Sequence, residues 1–126
     1  HLVIKPSGDV GIGTTTPTAK LHVNGTMKIG GGSATAISEV TNTSIGCGFS
    51  PATISAGATG TCTLSVAGVS AGQNAMVNCQ PNSAPAQAMI HSCYISAASQ
   101  VTLSVQNVGA SGLTPPSTWY VTVVKF

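Results

Sequence analysis

The chain has 126 residues, of which only 5% are charged, and its formal net charge at pH 7 is +2. The length predicts one domain, or a small domain with an accessory segment. Four lysines oppose two acids and there is no arginine, which argues against a nucleic-acid-binding surface.

The mean hydropathy is positive, at +0.34, although no apolar stretch approaches the roughly 20 residues that a membrane-spanning helix needs. We therefore expect no membrane insertion. Low charge combined with many small polar residues favours self-association instead. The chain begins at His1 rather than at methionine, which indicates a fragment or a processed product.

The first thirty residues predict short extended pieces separated by turn residues. Glycine, proline and asparagine punctuate the pieces, which are Leu2 to Lys5, Asp9 to Gly13, Lys20 to Val23 and Thr26 to Ile29. A single thin layer of strands cannot bury both sides of its aliphatic side chains, whereas three identical chains wound about an axis can. The predicted trimer core is Val10, Ile12, Leu21, Val23, Met27 and Ile29, with Val3 as a further inward candidate.

A glycine-rich joint, Gly30 to Ser33, follows these pieces. We expect residues 31–45 to form a transition, with at most a short helical turn near residues 34–40.

The rest of the chain predicts an all-β protein, because no segment has sustained helical periodicity. Strand signals at this spacing are typical of an antiparallel sandwich or barrel, here over residues 46–126. The predicted strands are Gly60 to Val66, Asn74 to Asn78, Ala88 to Ser96, Gln100 to Asn107 and Thr118 to Lys125.

Four cysteines lie in the second module. Their spacing favours disulfides between Cys47 and Cys62 and between Cys79 and Cys93, each closing a loop of about fifteen residues. Zinc is disfavoured because the chain has no CxxC pair, and buried free thiols are the alternative.

Gly8 to Gly31 resembles the GIGT-x-x-P-x-x-KL-x-V-x-G repeat of phage tail fibres and related surface fibres. All positions of the motif are filled, namely Val10, Gly11, Ile12, Gly13, Thr14, Pro17, Lys20, Leu21, Val23 and Gly25. The resemblance implies an intertwined homotrimeric β-shaft, similar to a triple β-helix, over residues 1–30. It also implies an upstream fibre or baseplate protein as a partner.

The segments TCTLSVAGVSAGQNAMVN, CYISAASQVTLSVQNVGA and TPPSTWYVTVVKF look like the C-terminal β-sandwich head of tail fibre and receptor-binding proteins. The cysteines are additional to that pattern. Residues 46–126 are thereby identified with a receptor-binding tip. The self-cleaving chaperone domain that often follows the shaft repeat is absent from this sequence.

Candidate receptor contacts are aromatic residues and polar loop residues of this head. On the last predicted strand, Trp119 and Tyr120 must point to opposite faces, and one face must be core. Loops held by rigid sheets often carry binding residues. The candidates are Tyr94, Trp119, Tyr120, Gln80, Asn82, Ser83, Gln87 and Ser111.

The titratable residues do not predict a catalytic or metal site. Glycoside hydrolysis needs two carboxylates, but the only acids are Asp9 and Glu39, and both lie outside the predicted head. His91 and Cys93 lack a nearby orienting acid, and His22 is interpreted as a surface histidine. We therefore expect no enzyme activity, cofactor or metal.

The resulting expectation is a virion protein at the tip of a tail fibre or spike, which would be extracellular after release. Its homotrimer would adhere to a bacterial surface glycan or outer-membrane protein. Two alternatives remain open: a bacterial cell-surface fibre with a structural or adhesive role, and a capsule depolymerase.

Overall fold

The computed structural model describes residues 1–84 and 89–126, and every regular element in these ranges is a β-strand. No helix able to span a membrane occurs in the same residues. The nine strands are β1 Leu2–Ile4, β2 Val10–Ile12, β3 Leu21–Val23, β4 Glu39–Gly46, β5 Thr59–Ser65, β6 Ala75–Pro81, β7 Met89–Ala97, β8 Gln100–Asn107 and β9 Thr118–Lys125.

The chain divides into two compact units. The N-terminal unit comprises His1–Glu39 and Lys125–Phe126, and the two-sheet unit comprises Val40–Val124. In the N-terminal unit β1 pairs with β2 antiparallel, and β2 pairs with β3 in parallel. Met27 and Ile37 form an isolated antiparallel bridge in which each amide donates to the other carbonyl at 2.7 Å.

Strand β4 begins at Glu39, so part of the segment predicted as a transition, residues 31–45, is regular strand. Residues 34–40 contain no helical turn. The inward-facing positions of β4 are Thr41, Thr43 and Ile45, which are half-buried. Two of these are threonines, so the apolar alternation that reveals a strand in a sequence is weak here.

The two-sheet unit is built from two three-stranded sheets. The β9 sheet has the order β4-β9-β6, and the antiparallel β8 sheet has the order β5-β8-β7. Side chains from both sheets form one core, as in a β-sandwich. Its members from the strands are Cys62, Leu64, Cys79, Val101, Leu103, Val105, Trp119, Val121 and Val123.

A disulfide links the two sheets at each side of this unit. Cys47, directly after β4, is bonded to Cys62 of β5 with a Cα–Cα distance of 6.0 Å. On the other side Cys79 of β6 is bonded to Cys93 of β7, at 6.2 Å. This is the pairing that the loop lengths favour, and both bonds join one sheet to the other.

Asn107, at the end of β8, holds the loop that follows it. The side chain is fully buried. Its Nδ2 donates to the carbonyls of Ile54 at 2.9 Å and Ser111 at 2.7 Å, while its Oδ1 accepts from the Gly109 amide at 2.9 Å. One side chain therefore satisfies three backbone groups.

We expect Asn107→Ala to lower the free energy of unfolding by about 3 kcal/mol, because buried groups that lose their partners cost about 1 to 3 kcal/mol each. Urea denaturation followed by Trp119 fluorescence measures this loss. Gln106→Ala is the control, since Gln106 is the exposed neighbour on the same strand. Equal stability of the two variants would contradict the role assigned to Asn107.

Candidate assembly and binding surfaces

One face of the N-terminal sheet consists entirely of aliphatic side chains. Directly paired residues share a face, and the register of the three strands creates two rows across the sheet. The first row is Leu2, Ile12 and Val23, and the second is Ile4, Val10 and Leu21. We call these six residues the aliphatic face.

The aliphatic face is open in the single chain. Its largest members expose 63% (Leu2), 69% (Ile4), 44% (Ile12) and 57% (Leu21) of their surface. The face brings together Val10, Ile12, Leu21 and Val23 of the predicted trimer core. Met27 and Ile29 are also exposed, but they lie outside the three paired strands.

The structure corrects the assignment of β1. Val3 pairs with Gly11, on the side opposite the aliphatic face, so Val3 does not belong to that face, whereas Leu2 and Ile4 do. The sequence shows that β1 alternates, but only the register with β2 decides which of its residues join the aliphatic face.

The opposite face of this sheet is covered by the chain itself. Gly11 and Pro17 are buried, and a Cβ on Gly11 would lie 2.6 Å from the Thr14 carbonyl oxygen and 3.5 Å from Pro17 Cδ. Gly13 has a φ of 74°, and a Cβ there would lie 2.6 Å from the Asn24 carbonyl oxygen. The glycines and the proline of the motif thus allow the loop between β2 and β3 to lie against Gly11.

Lys20 connects the start of β3 to the turn that precedes β2. Its ammonium donates to Asp9 Oδ1 at 2.8 Å and to the Ser7 carbonyl at 3.0 Å. Ser7 Oγ donates to Asp9 Oδ2 at 2.6 Å. The hydrogen bond from Lys20 is the main cause, and that from Ser7 the second, that the pKa of the Asp9 carboxyl lies below its ordinary value of 3.8. The lysine of the motif therefore has a local structural partner.

This lowered pKa predicts a pH dependence of the N-terminal unit. Because the folded pKa of Asp9 lies below the unfolded one, the carboxylate contributes stability at neutral pH, and this contribution is lost as the pH falls through the folded pKa. We expect Asp9→Asn to reduce hydrogen-exchange protection of the Val10 amide, which donates to Lys20 O, at pH 6, and this difference from wild type should shrink as the pH is lowered below 3.8. A difference that is the same at every pH would contradict this.

Other titratable groups of the N-terminal unit, among them His22, Glu39 and Lys125, also have local partners. His22 lies on the Gly11 side of the sheet, and the Thr18 amide donates to its Nδ1 at 3.3 Å. Glu39 forms an ion pair with the buried ammonium of Lys125. The two acids of the chain thus have different lysine partners, Lys20 for Asp9 and Lys125 for Glu39. No group of three or more His, Cys, Asp or Glu residues within residues 1–84 and 89–126 is arranged to hold a metal.

Trp119 is not available as a receptor contact, which corrects that assignment. Its side chain is 0% exposed, and its indole Nε1 donates to the Pro116 carbonyl at 2.8 Å. Its ring packs against Phe49 and edge-on against His91, with centroid distances of 6.2 and 5.1 Å. Trp119 is therefore a core residue, and its neighbour Tyr120 points outward.

His91 and Cys93 do not form a catalytic pair. The Cys93 sulfur is bonded to Cys79, so no thiol is present. His91 Nε2 lies 2.9 Å from the Cys79 carbonyl oxygen. His91 therefore has a structural role: its ring packs against Trp119 beside the Cys79–Cys93 disulfide.

The remaining candidate contacts lie on two different surfaces. Tyr94 points outward from the β8 sheet and is 56% exposed. Tyr120 points outward from the β9 sheet and is 44% exposed. Gln80 and Asn82 alternate with the inward Cys79, so they share the outer side of the β9 sheet, and the Asn82 amide donates to the Thr118 carbonyl at 3.1 Å. The two tyrosines therefore belong to separate surfaces.

Ser83 and Ser111 are exposed in loops, and the Ser111 carbonyl is held by Asn107. Gln87 lies outside the described residues.

All formal charges of the side chains lie in the N-terminal unit. Residues 40–124 contain no Asp, Glu, Lys or Arg. The outer surfaces of the two-sheet unit therefore offer hydroxyls, amides and aromatic rings but no ion-pairing group. Comparison of the chain with protein-family models, curated proteins and solved structures found no significant match.

Proposed function

We propose that the chain is the distal tip of a phage tail fibre or spike. In this proposal it forms a homotrimer through its N-terminal unit and adheres to a bacterial surface receptor through its two-sheet unit. The receptor is a polysaccharide or an outer-membrane protein, the site of action is the virion, and an upstream fibre or baseplate protein is the second partner.

The observation that carries the proposal is the aliphatic face. Six aliphatic side chains in two rows lie on one side of a three-stranded sheet, and the loop packed against Gly11 occupies the other side. Contiguous apolar surface of this kind is typical of interaction sites. Sister copies are the partner that the shaft motif implies, and three copies bury the face around a common axis.

Adhesion agrees better with the two-sheet unit than hydrolysis does. Hydrolysis of a glycosidic bond uses a pair of carboxylates in most enzyme families, and residues 40–124 contain neither Asp nor Glu. A rigid trimer instead presents three copies of a weak site, and binding of the first raises the effective concentration of the others.

Two measurements test the proposal. Sedimentation equilibrium should give about 37 kDa, three times the chain mass of 12.4 kDa. Labelled trimer should then bind cells of some strains in a panel of bacteria, and stripping of surface glycans or treatment with protease should remove that binding. A monomer at micromolar concentration, or no cell binding by the trimer, would refute the proposal.

The alternative of a bacterial cell-surface fibre shares the trimer but differs in origin. Tail and baseplate genes beside the gene of this chain would favour the virion protein. A depolymerase would lower the viscosity of host polysaccharide when the protein is added, which we do not expect.

A further inference from the structure

The outer surface of the β8 sheet carries a regular array of hydroxyl groups beside one tyrosine. The register places Thr63, Thr102 and Tyr94 in one row across β5, β8 and β7, and Thr61, Ser104 and Ser92 in the next. All six are exposed or half-exposed. We call these six residues the hydroxyl face.

The hydroxyls of this face are available for a ligand. Within residues 1–84 and 89–126, no protein group forms a hydrogen bond with the side chains of Thr63, Thr102 or Ser104. On the other outer surface, by contrast, the Asn42 amide already donates to Thr122 Oγ1 at 2.6 Å. The hydroxyl face thus retains both its donors and its acceptors.

The geometry of the face is flat and periodic. Neighbouring strands lie about 4.8 Å apart, and successive side chains on one side of a strand lie about 6.8 Å apart. Tyr94 stands at the end of its row with 56% of its surface exposed. Its ring offers an apolar surface with a polar hydroxyl at one end, beside the hydroxyls of the neighbouring strands.

The absence of charge decides between classes of ligand. No member of the hydroxyl face is charged, and residues 40–124 contain no Asp, Glu, Lys or Arg. A phosphate, sulfate or carboxylate on a ligand would find no cation there, and desolvating such a group without a partner is costly. A neutral sugar chain matches better, because its hydroxyls both donate and accept and the C–H side of its ring is apolar.

We propose that the hydroxyl face binds an uncharged polysaccharide, with a sugar ring stacked on Tyr94 and hydroxyl groups hydrogen-bonded to Thr63, Thr102 and Ser104. This assignment rests on the proposed adhesive function and names its ligand class and its surface. Tyr120, Gln80 and Asn82 are then outside the primary contact surface.

The test uses the 126-residue chain and an immobilised array of neutral and anionic bacterial oligosaccharides. Four proteins are compared: wild type, Tyr94→Ala, the double variant Thr63→Val/Thr102→Val, and Tyr120→Ala as the matched control on the other outer surface. Valine has nearly the shape of threonine and a high strand propensity, so the double variant removes hydroxyls without removing the fold.

We expect wild type to bind neutral oligosaccharides. Tyr94→Ala and the double valine variant should each weaken this binding about tenfold or more, while Tyr120→Ala stays within about twofold of wild type. Binding to anionic oligosaccharides alone would overturn the proposal. So would loss of binding in Tyr120→Ala but not in Tyr94→Ala, or a loss of trimer in the valine variant, which would make the face a subunit interface.

Failure of this inference is distinguishable from failure of the proposed function. Wild-type trimer that binds bacterial cells but no oligosaccharide, and loses cell binding after protease treatment, rejects the hydroxyl face as a glycan site and keeps the adhesive role. A protein that neither assembles nor binds cells rejects the adhesive role itself.

Discussion

The double variant Ile12→Asn/Leu21→Asn is expected to sediment as a monomer of 12.4 kDa at concentrations where we expect the wild type to form the proposed trimer. Ile12 and Leu21 lie on different strands and in different rows of the aliphatic face. Burial of one such side chain contributes about 1.5 to 3 kcal/mol. In the proposed trimer, threefold symmetry would repeat each substitution three times, so the assembled state would lose roughly 9 to 18 kcal/mol.

The matched control is Val108→Asn, which places the same polar side chain at an apolar residue of the two-sheet unit that is 48% exposed. This variant should remain trimeric. Trp119 fluorescence should be native in both variants, because the tryptophan lies in the core of the two-sheet unit. A trimer that persists with two asparagines on the aliphatic face would show that assembly uses another surface.

The N-terminal strands could be located from the sequence because turn residues separate them clearly. The sequence does not show which of their side chains share one face of the sheet, because this depends on the register between the strands. A shift of one residue between β1 and β2 would exchange Val3 for Leu2 and Ile4 on the aliphatic face. No local pattern in the sequence specifies that register. It is known only from the structure, in which Val3 pairs with Gly11.

A similar limit applies to Trp119 and Tyr120. Alternation along β9 predicts that the two rings point to opposite sides of the sheet, and this is what the burial shows. Alternation alone does not say which side is the core. Trp119 is inward because Val121 and Val123 share its side and pack with residues of β8, a contact that joins distant parts of the chain.

Apart from Tyr94, the residues of the hydroxyl face cannot be recognised from the sequence, for a different reason. Polar residues alternating with buried ones on β5 and β8 are the ordinary pattern of a solvated strand. The face becomes notable only when the register aligns Thr63 with Thr102 and Thr102 with Tyr94. The sequence signal that could have indicated it is the complete lack of charge at the outward positions of three strands, since exposed strand surfaces normally carry some charged side chains.

Removal of the two disulfides is expected to be the most damaging change within the two-sheet unit. The bonds span sequence separations of 15 and 14 residues, and a loop of this length corresponds to about 3 kcal/mol of stabilisation. Both bonds join one sheet to the other at the sides of the unit, so together they contribute roughly 6 kcal/mol. A domain of this size has a total stability of about 5 to 15 kcal/mol.

We therefore expect Cys79→Ala/Cys93→Ala to lower the Tm by roughly 12 to 24 °C, and complete reduction of wild type to lower it further. Trp119 is the only tryptophan and lies in this core, so its fluorescence reports unfolding of the two-sheet unit alone. A variant with all four cysteines replaced by alanine is the control for the reductant, whose addition should not change its Tm. Complete reduction would be verified by mass spectrometry as four alkylated thiols. If the Tm of this reduced wild type were unchanged, core packing alone would hold the two sheets together and the disulfides would contribute no stability.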